Sequence, residues 1–396
     1  MDAILKPRDA KDTCEAVKWA AAEETPLEVL GSGSKKALGR PVQSAHVLDM
    51  SDVSGVEVYE PAELVLTVRA GTPLAEVEKL VSDSGQELSF EPMDYGPLLG
   101  AETGKGTIGG VLATNLSGPR RIKAGAARDH ILGLEAVSGR GEIFNSGGRV
   151  VKNVTGYDLP RALCGSWGTL AVATTLTLKV NPKPEMATTF VLEGLGDEAA
   201  INVLCQAMGS SAEVSGAAHL PDGHDGGPAR TLLRLEGFKA SVDYRFKALQ
   251  SLLSPFGAAG RIDGEPSDAL WQSVRDVTVF AGKTTPVWRV SIAPTAGPAF
   301  VSTLRESTDV DVYYDWSGGL VWLSCQDGNV HDAEIRAAVS AVGGGHATLI
   351  RADSSIRTSV AVFEPQDAAL AALTRRIKSQ FDPHGILSPG RMVAGN

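Results

Sequence analysis

The 396-residue chain has only four cysteines, and none lies near another: Cys14, Cys164, Cys205 and Cys325 show no C-x-x-C spacing. No iron–sulfur or zinc signature can be built from them, and they read as reduced thiols packed as small apolar groups. Long apolar runs are also missing. Nothing approaches the ~20 residues a membrane-spanning helix needs. The opening MDAILKPRDAKD has neither a signal-peptide core nor a lipidation motif, so a cytoplasmic protein is expected. Basic runs stop at two residues and the formal net charge is −10. This argues against a general nucleic-acid binder, which needs a basic face to neutralise phosphates. Arg120-Arg121-Ile122-Lys123 is the one local basic group of note, suited to a cofactor phosphate, a partner or water.

What the chain does have is glycine, concentrated between Thr107 and Asp158 in TIGG, ATNLSGPRR and GRVVKNVTGYD. Glycine lets backbone amides approach a ligand that a Cβ would hold away. Here the glycines alternate with Thr107, Thr114, Asn115, Ser117 and Thr155, whose side chains can bond phosphates, hydroxyls or a ring edge. A set of hairpin glycines is the plainer alternative. A second cluster, VLGSGSKK from Val29 to Lys36, follows a short apolar strand. Its consecutive amides could cradle an anion, with Lys35 or Lys36 adding charge. Two nucleotide motifs fail. The G-x-G-x-x-G loop needs glycine at position 36, where Lys36 stands. GAETGKG, from Gly100 to Gly106, is one residue short between its glycines and has Gly106 where a magnesium-binding Ser or Thr belongs.

Together, LGSGSK, GTIGGVLATNLSGPRR, GRVVKNVTGYDLPRALCGSWGTL, Trp288-Arg289-Val290-Ser291, Gly344-Gly345-His346-Ala347-Thr348 and FDPHGILSPGRM resemble an FAD-linked oxidase of the vanillyl-alcohol oxidase or p-cresol methylhydroxylase (PCMH) type. The closer resemblance is to the FAD-binding subunits of bacterial glycolate oxidases, nearly end to end. It implies an α+β fold: a two-subdomain PCMH-type FAD-binding domain, an antiparallel-sheet cap domain, and a C-terminal segment returning to the FAD domain. In that family the first loop holds the pyrophosphate and the glycine track lies along the rest of the FAD. This points to Gly31, Ser32, Gly33, Ser34, Lys35, Thr107, Ile108, Gly109, Gly110, Asn115, Ser117, Gly118, Val154, Gly156, Tyr157 and Asp158 as cofactor-binding residues. Covalently linked variants use a histidine or cysteine in these patterns; neither is present, so FAD is expected to be noncovalent. Ser388 replaces the asparagine of the family's N-P-G turn.

The organisation along the chain agrees. Residues Thr13 to Glu24 read as a helix, and strand, turn and Pro-initiated helix alternate through LVLTVRAG and LAEVEKLVSDSG. Asn181-Pro182-Lys183-Pro184 marks a boundary, since prolines cannot continue a central strand. We expect an FAD domain over residues 1–181, a cap over 185–340 whose helices and strands suit an antiparallel sheet, and a returning segment over 341–396.

A 2-hydroxy acid would need a cation for its carboxylate and a base for its hydroxyl proton. Arg289 and His346 are the catalytic candidates, with Arg351, Tyr157, Tyr313 and Tyr314 also available. Related dehydrogenases carry an H-x-G-D-G-N-x-H metal motif; here Ser324-Cys325-Gln326 precede Asp327-Gly328-Asn329-Val330-His331, so its first histidine is missing and no metal site is assigned. The segment reads instead as a turn opening a helix, capped by Asp332 or Asn329.

Three functions remain open. One is an FAD subunit of a complex oxidising glycolate or D-lactate to the 2-oxo acid. The second is an assembly or electron-transfer subunit, with oxidation on a homologous partner. The third is a free-standing oxidase. The resemblance implies a homologous FAD-containing catalytic subunit and an iron–sulfur subunit as partners. Any peripheral membrane association, at the inner face of the cytoplasmic membrane, would come only through them.

Overall fold

The computed structural model describes residues 3–44, 46–149, 156–221, 223–224 and 226–395. The chain forms two compact units: Met1–Ser117, Gly125–Lys183 and Arg357–Asn396 make the first, Gly118–Ala124 and Pro184–Ile356 the second. The return to the first unit, expected at residue 341, comes at Arg357. The strand His346–Arg351 pairs with Val287–Ser291 and thereby completes the second unit's sheet.

In the first unit the helix Ala10–Ala22 starts three residues before the position read from the sequence. Asp9 causes this: its carboxylate accepts the Lys11 and Asp12 amides at 2.8 Å. Cys14, Val17 and Ala20 form its buried face. Ala3–Leu5, His46–Asp49 and Leu27–Leu30 make a small parallel sheet with His46–Asp49 in the middle. The outer edge of Leu27–Leu30 does not stay open. Leu27 N–H donates to the Ile386 carbonyl and Ser388 N–H to the Leu27 carbonyl, each at 2.8 Å, so the C-terminal segment lies along it.

Beside this stands a five-stranded antiparallel sheet in the order Val56–Glu60, Val65–Arg69, Ala171–Lys179, Ile131–Ser138, Ile143–Gly147. One core, including Leu66, Val77, Phe90, Ile108 and Leu176, joins its strands to the helix Leu74–Asp83. A second, with Val17, Leu27, Leu48, Val172 and Leu387, ties in the parallel sheet and the chain's tail.

The second unit holds two strand–helix–strand–strand–helix–strand motifs. The first comprises Met186–Glu193, Asp197–Met208, Gly216–Leu220, Arg230–Gly237, Lys239–Leu252 and Gly260–Asp263. The other comprises Val287–Ser291, Gly297–Arg305, Val310–Asp315, Leu320–Cys325, Asp332–Ala341 and His346–Arg351. Within each, the sheet order is fourth, first, third, second, and the two second strands lie side by side to give eight strands. One residue pair, His219 opposite Tyr314, joins the halves. Both side chains are buried, and Asp197 binds them together: Tyr314 Oη donates to Oδ2 at 2.7 Å and His219 Nε2 is 3.4 Å from Oδ1.

Burial raises the Asp197 carboxyl pKa, but hydrogen bonds from His219 and Tyr314, with the charge of Arg305, more than reverse this and hold it below the usual range. A carboxylate so depressed stabilises the fold above its ordinary pKa of about 3.8, and that stability is lost as pH falls through the lower folded value. Tyr314→Phe should therefore cost about 1–2 kcal/mol near neutrality. In urea melts the gap from wild type should narrow as pH falls below about 4, as Asp197 protonates. A gap independent of pH would mean that Tyr314 contributes through packing alone.

Candidate functional site

The loop after strand Leu27–Leu30 is shaped by close contact. A Cβ on Gly31 would stand 2.5 Å from Thr107 Oγ1, and Gly33 adopts a positive φ of 76° that side chains disfavour. The amides of Ser32, Gly33 and Ser34 donate to no acceptor among the described residues. Ser32 Oγ bonds the Lys105 carbonyl. Of the two lysines that follow, Lys36 turns to the buried Glu28 at 3.0 Å. Lys35 places its ammonium beside Gly106 and Gly110: a Cβ there would be 3.9 and 3.5 Å away. Burial lowers the Lys35 pKa, with Asp94 opposing from beyond ion-pair range.

The TIGG turn packs against the end of Val65–Arg69. Thr107 caps the short helix Ile108–Thr114 by accepting the Gly110 amide at 3.2 Å. Gly109 N–H donates to the Ala70 carbonyl at 2.7 Å, and a Cβ on Gly109 would lie 2.8 Å from that oxygen. A slot runs from here, walled by Leu30, Gly31, Thr107, Gly109 and Gly110 on one side and Ser166, Trp167, Gly168 and Ala171 on another. Adjoining it, a pocket is lined by residues 31–36, Gly110, Thr114, Trp167 and Arg391. Neither lining contains histidine or cysteine.

The structure thus brings Gly31 to Lys35 together with Thr107, Gly109 and Gly110. Ile108 is buried in the core behind them. Asn115 ends the helix in the left-handed region, its Oδ1 accepting the Arg128 amide at 3.1 Å. Ser117 is buried and accepts the Ala127 amide at 3.0 Å. Gly118 belongs to the second unit, where its carbonyl accepts Trp316 Nε1–H at 3.1 Å. Gly156 has φ of 79°, Tyr157 is exposed, and Asp158 caps the helix Leu159–Leu163. Val154 lies outside the described residues. Met50, Ala70, Trp167, Gly168 and Arg391 were missed. The GSWG tetrapeptide was the available signal, since Trp167 and Gly168 both take positive φ.

In the second unit Arg289 and His346 fall on one face of the sheet. Arg289 pairs with Thr348 and Ser291 with His346, so all four side chains point the same way, two residues (~7 Å) apart along the strands. The Arg289 guanidinium lies 4.9 Å from the Trp316 ring and 6.0 Å from Trp322. His346 is exposed.

The other candidates serve the fold. Arg351 donates to the Thr285 and Phe280 carbonyls at 2.8 and 2.6 Å, with burial lowering its pKa to about 10. Tyr313 donates to the Val274 carbonyl at 2.8 Å, and Tyr314 is spent on Asp197. Arg120, from the basic group, forms an ion pair with Glu236.

The metal-motif echo folds as a closed turn. Asp327 accepts the Asn329 amide, Asn329 Nδ2–H and His331 Nε2, and these bonds hold its pKa down at about 2. The helix Asp332–Ala341 follows as read, but its cap residue is His331, in left-handed conformation, and not Asp332 or Asn329. Among the described residues no three acidic, histidine or cysteine side chains gather as a metal site. None of the described helices is long and apolar enough to cross a membrane.

Residues 1–147 match a family model described as FAD binding domain. The chain is 34% identical over 383 residues to glycolate oxidase subunit GlcE of Escherichia coli (strain K12), covering 96% of each. It is 26% identical to D-lactate dehydrogenase of Archaeoglobus fulgidus, over 98% of this chain and 91% of that protein. The fold is similar to that of p-cresol methylhydroxylase with substrate bound, at a TM-score of 0.73 and 14% identity over 99% of this chain and 88% of the other.

The site fits FAD on its own chemistry: unused amides and a half-buried lysine ammonium suit a diphosphate, and a slot of small residues suits a flat ring. Gly31→Val should displace Thr107 and close the entry to that slot. We expect the purified variant to lose most of its bound flavin absorbance while keeping the far-ultraviolet dichroism of wild type. Full flavin content would show that the Gly31–Thr107 contact does not shape the cofactor site.

Proposed function

Since the chain belongs to the family of FAD-linked hydroxy-acid oxidoreductases that includes glycolate oxidase subunit GlcE, we propose that it is the FAD-binding subunit of a glycolate or D-lactate oxidising complex. The product is the 2-oxo acid. The observation that carries this reading is the shared sheet face of Arg289 and His346, which sets a stacked cation beside an exposed imidazole.

Arg289 pairs with the substrate carboxylate, its guanidinium plane fixed by Trp316 and Trp322. His346 accepts the hydroxyl proton as the α-carbon is oxidised. Noncovalent FAD supplies the acceptor for the hydride. Residues 31–35 hold the diphosphate end and Thr107 to Gly110 the adjoining stretch. Electrons then pass to an iron–sulfur partner, and the complex works in the cytoplasm or at the inner face of the cytoplasmic membrane through its partners.

A second reading is favoured by the closed Asp327–His331 turn, whose acceptor atoms are already engaged within the turn. There the chain binds FAD for assembly or electron transfer, and a homologous FAD-containing partner oxidises the substrate.

The deciding measurement is the visible spectrum of the purified chain, kept free of oxygen, before and after glycolate or D-lactate. Bleaching of the flavin bands supports turnover on this chain, and unchanged bands support the second reading. A chain that takes up no FAD overturns both. If bleaching occurs, Arg289→Gln should weaken substrate binding by roughly 10- to 100-fold, the loss of a charge-assisted bond. His346→Asn should slow the bleaching rate by about 100-fold or more. Acid precipitation should release the flavin into the supernatant.

A further inference from the structure

We propose that Lys35 and Arg391 jointly recognise the cofactor's diphosphate, and that Arg391, delivered by the C-terminal segment, makes docking of that segment part of cofactor binding. This rests on the FAD assignment and extends it to a residue about 355 positions away in sequence.

Residues 386–388 lie along the strand that leads into the phosphate loop. Ser388, in a left-handed conformation with φ of 43°, accepts the Val29 amide on its hydroxyl at 3.1 Å. Three residues later Arg391 is only 6% exposed. Its backbone carbonyl takes the Arg40 amide at 3.0 Å. Its guanidinium donates to the Lys35 carbonyl at 3.1 Å and lies 3.6 Å from Glu28. One side chain therefore spans the loop, touching the strand before it and the residue that ends it.

Among the described residues Glu28 is the single buried carboxylate in ion-pair contact with this loop's cations, and it serves both Lys36 and Arg391. Lys35 is half-buried, and its ammonium has neither ion pair nor hydrogen bond among the described residues. Two cations share that carboxylate and the third, Lys35, has none in ion-pair contact, a local excess of positive charge that an anion in the pocket would offset. A diphosphate linking two nucleoside-like halves carries two negative charges at neutral pH, which matches the excess. The pocket wall places Lys35, Arg391 and the unused amides of Ser32 to Ser34 around one space. Burial and the neighbouring Arg357 push the Arg391 pKa down to about 10, with Glu28 opposing; an anion in the pocket would relieve the same strain.

The test titrates the full-length chain, freed of flavin, with FAD and with riboflavin, which has the ring but no phosphate, and reads flavin fluorescence. Lys35→Met and Arg391→Gln should each weaken FAD binding at least 30-fold and leave riboflavin binding unchanged. Arg391→Lys should recover part of the loss. In wild type, FAD should protect the chain after residue 386 from protease, and in Arg391→Gln it should not. Equal weakening of both ligands would give Arg391 a merely structural role, and undiminished FAD binding in the variants would also overturn the inference. Wild type that binds neither flavin would instead overturn the cofactor assignment, taking this proposal with it.

Discussion

The first unit depends on a close approach of backbone to backbone that only small residues permit. The end of Val65–Arg69, the TIGG turn and the loop after Leu27–Leu30 crowd together at Ala70, Gly109, Thr107 and Gly31, where added Cβ atoms would lie within 2.5 to 2.9 Å of neighbours. The amides of Ser32, Gly33 and Ser34 find no acceptor among the described residues, and these residues line a pocket. Unsatisfied amides cost about 1–3 kcal/mol each when buried. The fold tolerates them where an anion or water can reach them, which is why the same segment that looks strained as structure makes sense as a binding site.

The second unit solves a different problem. Doubling a four-stranded motif gives a broad sheet, but it leaves the join between copies short: among the described residues His219 and Tyr314 form its only paired position in the register. The polar cluster at Asp197 compensates there: the Tyr314 hydroxyl donates to the carboxylate and His219 Nε2 stands 3.4 Å from its other oxygen. The wide sheet that results displays Arg289 and His346 together on one face, although 57 residues separate them in sequence.

The limits of sequence reading follow from locality. Helices with a clear apolar stripe were legible: Leu74, Val77 and Val81 in one, Ile335, Ala338 and Val339 in another. The loop from Gly31 to Lys35 and the TIGG turn were legible too, because glycine's backbone requirement is written residue by residue. The doubled motif was not, since its two copies share topology and no common string of residues. Nor could the sequence show that His346–Arg351 belongs to the second unit's sheet, as strand propensity names an element and not its neighbour. Asn115 and Ser117 illustrate a subtler limit: small polar residues in a glycine track serve the turn itself, through Arg128 and Ala127, as readily as a ligand.

The residues Gly118–Ala124 carry that argument furthest. In sequence they continue the flavin track without a break, yet they pack in the second unit. Among the interactions that hold them are Trp316 Nε1–H on the Gly118 carbonyl at 3.1 Å, Arg120 on Glu236, and the Arg121 guanidinium 4.4 Å from the Trp316 ring. Trp316 reaches them from an unusual connection in which Trp316, Ser317 and Gly318 all have positive φ, a costly run for a bulky residue. Asp315 steadies it by accepting the Trp316 amide at 2.7 Å. The same indole stacks with Arg289, so the residue that anchors the track also orients the proposed substrate cation. Conformational strain retained at a residue with two such contacts is better explained by what it positions than by stability. Loss of Trp316 would disturb the track and the cation together.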